Sequence, residues 1–273
     1  MPNADRWGSP IRRPSGLLSI EDSIKSRLVD PNSTGRNLLN CSCRIVMTLD
    51  GRPLRTVITG RRHIVTGSYP SRKARRAFPH EGMNELAFFM HSEVDTTVVD
   101  YRAQPFRFEF TLDGRPRIYI ADCVRQLDTG ALEVVEVKND WRALRDADYA
   151  AKLARVGEVC RSLGWNFRVV TRSALTQPPI FHANVKEVQS RRTVRHDASH
   201  IYRASALIAR EGGVAPLGVV ADALGERLQG RAIVKALMVG RVADIVLNRR
   251  LTDDSEVRLV RDADAHLQFS EVR

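Results

Sequence analysis

Tyr119-Ile-Ala-Asp-Cys and Leu132-Glu-Val-Val-Glu-Val-Lys stand on either side of Asp128-Thr129-Gly130. Two short apolar runs around such a turn read as an antiparallel hairpin. Asp122 and Glu136 are equidistant from Thr129, so a hairpin symmetric about it sets the two acids directly opposite one another, with Cβ atoms about 4.5–5.5 Å apart. Side chains alternate along a strand, which places Glu136 and Lys138 on one face and turns Val135 and Val137 into the core on the other. Opposed carboxylates repel, and something cationic must offset that. Lys138 supplies one charge; a divalent cation held by hard oxygen ligands would supply the rest, Mg²⁺ being the usual occupant where phosphates complete the shell. Such a site suits phosphodiester hydrolysis, since the metal polarises the phosphoryl oxygen and activates water. Lys138 would orient or help deprotonate that water and stabilise charge building on the phosphate. The rival reading is an exposed hairpin with an ordinary Glu-x-Lys pair, because motifs this short recur by chance.

Outward from this pair, Phe106 to Leu112 and Arg117 to Arg125 read as strands, with Asp113-Gly114 between them. Glu81 to about Met90 reads as an amphipathic helix with Glu81 and Glu85 one turn apart on a common face. A long helix is expected from about Trp141 to Leu163, stopped by Gly164, and a strand over Phe167 to Thr171. Helix, three antiparallel strands, helix and strand make a mixed α/β core with a crossover. Towards the N-terminus, residues 43–59 alternate around Asp50-Gly51 and suggest a hairpin. The first forty residues hold one short helix near Leu17 to Val29 within a polar arm.

Gln177-Pro-Pro and the polar stretch Gln189 to His196 mark a linker. Beyond it lie helical patterns at Ser199 to Arg210, Pro216 to Leu224 and about Leu228 to Val239, then strand-like runs Val242 to Leu247 and Glu256 to Val260. Three helices and a two-stranded wing describe a small winged-helix domain. The expected organisation is an arm (1–40), a catalytic α/β domain (41–188) and a winged-helix-like domain (189–273).

The 273 residues contain 43 Lys+Arg against 32 Asp+Glu, a formal charge of +11. With 43% hydrophobic residues the chain can bury a core, which excludes a disordered basic tail. A polyanion is the first partner to consider. The excess is local: residues 51–80 hold Arg52, Arg55, Arg61, Arg62, Arg72, Lys73, Arg75 and Arg76 with no acid, whereas 81–189 is slightly acidic. The stretch reads as a DNA-facing surface formed by Arg61, Arg62, Arg72, Lys73, Arg75 and Arg76. No apolar run approaches the ~20 residues of a membrane span, so an intracellular, cytoplasmic protein is expected. Cys41, Cys43, Cys123 and Cys160 lack zinc-ribbon spacing and are expected as reduced thiols. His196 and His200 lack the Glu of a zinc-binding helix.

The blocks Tyr69-Pro-Ser-Arg-Lys, Asn84-Glu-Leu-Ala-Phe-Phe, Val99-Asp-Tyr-Arg-Ala-Gln-Pro, Tyr119-Ile-Ala-Asp, Glu133-Val-Val-Glu-Val-Lys and Leu163-Gly-Trp-Asn-Phe-Arg-Val-Val-Thr, in this order, resemble the TnsA family. These are the endonuclease subunits of heteromeric cut-and-paste transposases, and Asp122, Glu136 and Lys138 look like their PD-(D/E)XK signature. The resemblance spans Tyr69 to Thr171 and implies a restriction-endonuclease-like mixed sheet flanked by helices. It also implies catalytic residues Glu85, Asp122, Glu136 and Lys138, with one or two Mg²⁺ ions, replaceable by Mn²⁺, on Glu85, Asp122, Glu136 and the Val137 carbonyl. Ala121 replaces the family's usual proline, and Glu81 competes with Glu85 for its role, the Asn-Glu-Leu-Ala context favouring Glu85. The implied partners are double-stranded DNA at transposon ends, a TnsB-like recombinase subunit that handles the 3′ ends, and a TnsC-like ATP-dependent regulator. A standalone restriction or repair nuclease, and a DNA-binding assembly protein with a vestigial nuclease domain, are the alternatives. For the C-terminal domain, Arg231, Lys235, Arg241, Arg249 and Arg250 suggest DNA contact, while Asp253, Asp254 and the apolar helix faces suggest docking of the regulator.

Overall fold

The computed structural model describes residue 9 and residues 11–27, 43–48, 51–54 and 66–261. In chain order it contains α1 (Ile20–Lys25), β1 (Cys43–Met47), β2 (Gly67–Ser71), β3 (Arg76–His80), α2 (Met83–Val94) and β4 (Val98–Ala103). There follow β5 (Phe106–Leu112), β6 (Arg115–Ile120), β7 (Cys123–Leu127), β8 (Leu132–Lys138), α3 (Ala147–Ser162), β9 (Asn166–Thr171), α4 (Arg172–Thr176) and α5 (Pro179–Ser190). The last part holds α6 (Ala198–Arg210), β10 (Val214–Pro216), α7 (Leu217–Leu224), α8 (Arg227–Val239), β11 (Ala243–Ile245) and β12 (Glu256–Leu259).

The central sheet has the order β4-β7-β8-β9. β8 pairs antiparallel with β7 and parallel with β9, and a parallel neighbour requires a crossover, which α3 provides. β8 is buried on both faces: Val134 packs with α3 residues Leu153 and Val156, and Val135 and Val137 pack with α2 residues Phe88 and Phe89. A strand covered on both faces reads as a near-continuous apolar run. The face bearing Glu136 is therefore interior as well, and Glu136 is only 4% exposed.

The expected strand over Arg117 to Arg125 is two strands in different sheets. β6 belongs to the sheet β1-β5-β6, β7 to the central one, and the chain changes sheets at Ala121-Asp122, where the Gln104 amide donates to the Asp122 carbonyl at 3.1 Å. The expected Trp141 to Leu163 helix is likewise divided. Trp141–Arg145 is a 3₁₀ turn, and Asp146 starts α3 by accepting the amides of Asp148 and Tyr149. The hairpin expected over 43–59 is not formed by its described part: β1 pairs instead with β5, and residues 51–54 carry no strand, while residues 49–50 and 55–59 lie outside the described residues. α1 is shorter than expected, running from the Ser19 cap to Lys25. The stretch from Gln177 to Ser190, expected to begin as linker, is mostly α5, whose first helical residue is proline.

The C-terminal helices keep close to their expected spans, and their strands form a three-stranded antiparallel sheet, β10-β12-β11, rather than a two-stranded wing. β10 is too short, at three residues, to leave a periodic signal. α5 adds Val185 and Val188 to the core of this unit, and α2 adds Val94. No helix among the described residues is long and apolar enough to cross a membrane.

The acid-free stretch yields a correction. Arg72 and Lys73 are 2% and 1% exposed, so they do not face DNA. The buried Glu93 carboxylate accepts from the Ser71 hydroxyl (2.8 Å), the amides of Arg72 (2.7 Å) and Lys73 (3.3 Å) and the Tyr101 hydroxyl (2.7 Å). This draws the β2–β3 turn inward. Lys73 Nζ then donates to the carbonyls of Ser92 (3.0 Å) and Asp95 (2.5 Å) at the C-terminal end of α2, where a cation is favoured. Arg72 donates to the carbonyls of Ser9, Arg192 and Ala236, tying arm, linker and α8 together. Arg75 is exposed, Arg76 is half-buried with Nη1 on the Gly51 carbonyl (2.8 Å), and Arg61 and Arg62 lie outside the described residues.

Candidate active site

β7 and β8 pair Cys123 with Val135 and Val124 with Val134, so the next step of the same register sets Asp122 opposite Glu136, as the turn symmetry requires. The chain leaves the ladder at Asp122. The amide of Val137, beyond the last paired residue, donates to Asp122 Oδ2 at 2.8 Å. A side chain thus satisfies a backbone donor that the sheet change would strand.

Burial raises the pKa of Asp122 well above the usual carboxylate range. The Glu136 charge adds to this, the Val137 amide and Lys138 oppose it, and Glu85 raises it further. The other three expected catalytic residues therefore all act on this one carboxyl group. Glu136 Oε1 accepts from the Tyr149 hydroxyl (2.6 Å) and pairs with Lys138 Nζ (2.6 Å), while its Oε2 is buried without a hydrogen-bond partner among the described residues. Burial disfavours the Lys138 cation, but Glu136 more than offsets this and holds its pKa above the ordinary value. Lys138 also lies 5.0 Å from the centroid of the Tyr149 ring.

Glu85 sits in the first turn of α2, half-buried. Glu81 does not share a helical face with it, because the helix starts at Met83; the Glu81 amide instead donates to Glu85 Oε2 at 2.8 Å. Glu85 and Val137 line a common cleft of about 590 Å³. Among the described residues no group of three or more His, Cys, Asp or Glu side chains is close enough together to hold a metal ion. The donor chemistry nevertheless fits a hard divalent cation: two opposed carboxylates whose mutual repulsion a cation would relieve, and a buried carboxylate oxygen with no hydrogen-bond partner among the described residues.

Sequence reasoning missed Tyr149 as a site residue, since it lay simply within the helix expected from about Trp141 to Leu163. Its signal was its place in the first turn of the helix following the Glu-x-Lys strand. Lys152, one turn on, has its pKa lowered by burial and partly restored by Glu136. Cys43, Cys123 and Cys160 are free thiols, and Cys41 lies outside the described residues. Asp197 and His200 form the capping box of α6.

An Asp at the head of one strand and Glu-x-Lys at the end of its neighbour, in a sheet covered by helices on both faces, is consistent with a nuclease fold. Residues 95–172 match the family model described as TnsA-like endonuclease N terminal, so this part of the chain is similar to that domain. The match contains Asp122, Glu136, Val137 and Lys138 and begins beyond Glu85. No curated protein matches the chain.

Proposed function

We propose that the chain is the Mg²⁺-dependent DNA endonuclease subunit of a cut-and-paste transposase. It hydrolyses phosphodiester bonds near the 5′ strand ends of the element, while a TnsB-like recombinase handles the 3′ ends and a TnsC-like ATP-dependent regulator joins them. The observation that carries this reading is the β7–β8 register, which sets Asp122 against Glu136 with Lys138 two residues on, within the segment that matches the endonuclease family.

Asp122, Glu136, Glu85 and the Val137 carbonyl would hold the metal, which when bound polarises the phosphoryl oxygen and lowers the pKa of an attacking water. Tyr149 fixes Glu136 Oε1, leaving Oε2 as the available oxygen. Lys138 is a cation at neutral pH, and so serves to stabilise phosphate charge rather than to remove a proton from water.

The order α6-β10-α7-α8-β11-β12 supports a winged-helix reading of the C-terminal unit. The basic residues of its third helix are already engaged: Arg227 and Arg231 pair with Asp253, and Lys235 with Glu187. Arg241 is fully buried. This favours docking of the regulator over base reading, with exposed Arg249 and Arg250 as auxiliary DNA contacts.

The test is 5′-strand cleavage with Mg²⁺ and the partner recombinase. Asp122→Ala and Lys138→Ala should each lower the rate by about a thousandfold or more, as expected when a principal source of transition-state stabilisation is lost. Undiminished cleavage in either variant would sink the assigned site.

A further inference from the structure

The cleft that Glu85 and Val137 line has two other walls. One carries Arg172 and Thr176 of α4, the other His182 and Lys186 of α5, with Asn139 at the end of β8 between them and the site. Because β8 and β9 run parallel with Lys138 in register with Thr171, Asn139 and Arg172 leave the sheet side by side, and the Arg172 amide donates to the Asn139 carbonyl at 3.3 Å. Arg172 thus stands at the carboxyl ends of parallel strands, where open α/β sheets take their ligands. Lys186 is held in place through its helix: Asn184 donates to the carbonyls of Leu247 (2.8 Å) and Arg249 (2.6 Å), and Val185 and Val188 are buried in the C-terminal core.

Arg172 and Lys186 are both exposed, and neither side chain has a hydrogen-bond or ion-pair partner among the described residues. By contrast, Arg231 and Lys235 of α8 are each matched to a carboxylate. The third wall is the start of α2, whose N-cap Gly82 offers no side-chain acceptor, so the first amides of this 12-residue helix add donors and partial positive charge. Glu81 and Glu85 also line the cleft, the second belonging to the catalytic set.

We propose that this cleft is a phosphate-backbone subsite, in which Arg172 and Lys186 each hold a phosphate of the DNA strand beside the one to be cut and so fix which phosphate reaches Asp122 and Glu136. The proposal rests on the nuclease reading of that carboxylate pair. Backbone contacts of this kind position a strand without reading its sequence.

The experiment uses the whole chain carrying Asp122→Ala, so that a labelled DNA duplex is bound without being cut, and measures affinity as salt is raised. Adding Arg172→Ala and Lys186→Ala should weaken binding equally on unrelated duplexes and lower the slope of log affinity against log salt by about two, roughly one per lost phosphate contact. The charge-preserving pair Arg172→Lys and Lys186→Arg should keep the slope, and Arg210→Ala, on the far helix α6, should leave it unchanged. An unchanged slope in the double Ala variant, a parent that does not bind at low salt, or a fall in Tm accompanying the loss would each overturn the subsite. Cleavage by the otherwise wild-type protein separates the two readings. If it cuts while the double variant keeps its slope, the subsite falls and the nuclease stands. If the slope drops but the wild type does not cut with Mg²⁺ and the recombinase, the cleft binds the backbone, while the nuclease reading falls and takes with it the role of choosing the phosphate to be cut.

Discussion

Arg72 and Arg241 at the domain junction, and Asp122 and Arg172 at the end of the central sheet, represent opposite uses of charge. At the junction the cations are buried and donate to main-chain carbonyls: Arg72 to Ser9, Arg192 and Ala236, and Arg241 to Thr96 and Arg12, both at 2.7 Å. At the sheet end, Asp122 is pressed against Glu136, and among the described residues neither Glu136 Oε2 nor the Arg172 side chain has a hydrogen-bond partner. A satisfied charge holds parts together; an unsatisfied one is left for something that arrives. Counting charges along the chain cannot tell them apart, but following their hydrogen bonds does.

The largest effect is expected at the junction. Arg72→Ala strands three carbonyls and should cost about 3–5 kcal/mol, a fall in Tm on the order of 10 °C, whereas Arg75→Ala in the same turn should stay within about 0.5 kcal/mol. Equal Tm values for the two would erase the contrast. Next comes Tyr149→Phe, which removes the donor that orients Glu136; cleavage should fall roughly 10–100-fold in a protein of nearly wild-type melting temperature. A smaller effect follows from Asp122. Its folded pKa lies above the unfolded one, so the folded state binds the proton more tightly, and the stability this gives is lost as pH rises between its ordinary 3.8 and about 8. Metal-free Asp122→Asn should therefore melt about 2–4 °C higher than wild type at alkaline pH, with the difference vanishing in acid. A thermal scan showing the reverse trend would contradict the repulsion at the site. The smallest change is expected for Asp253→Ala, which frees exposed Arg227 and half-exposed Arg231; any loss in Tm should disappear at high salt.

Much of the site was legible because it rests on local rules. The symmetry of a tight hairpin sets the register of Asp122 and Glu136, and strand alternation places Lys138. The break at Ala121-Asp122 was not legible, because the strand partners on either side of it, β5 and β8, are set by tertiary packing rather than by a turn residue. Glu81 looked equivalent to Glu85 at helical spacing, and only the start of α2 at Met83 separates them. The burial of Arg72 and Lys73 escaped notice since a run of basic residues carries no mark of the distant Glu93 and Ala236 atoms that receive it. β2 and β3, each holding a proline, gave no strand pattern, as expected for an isolated edge hairpin.

The arm near the N-terminus joins the two units. The Arg12 amide donates to the Gly240 carbonyl (3.0 Å) and its guanidinium to that of Val260 (3.0 Å), while Arg13 reaches Asp100 of the central sheet (2.8 Å). During synthesis this arm leaves the ribosome well before the carbonyls it must meet. The sheet bearing Asp122 and Glu136 can assemble early, as domains generally do, yet its junction with the C-terminal unit cannot close until residue 260 has been added. Translation thus imposes a delay between assembling the central sheet and locking it to its C-terminal neighbour.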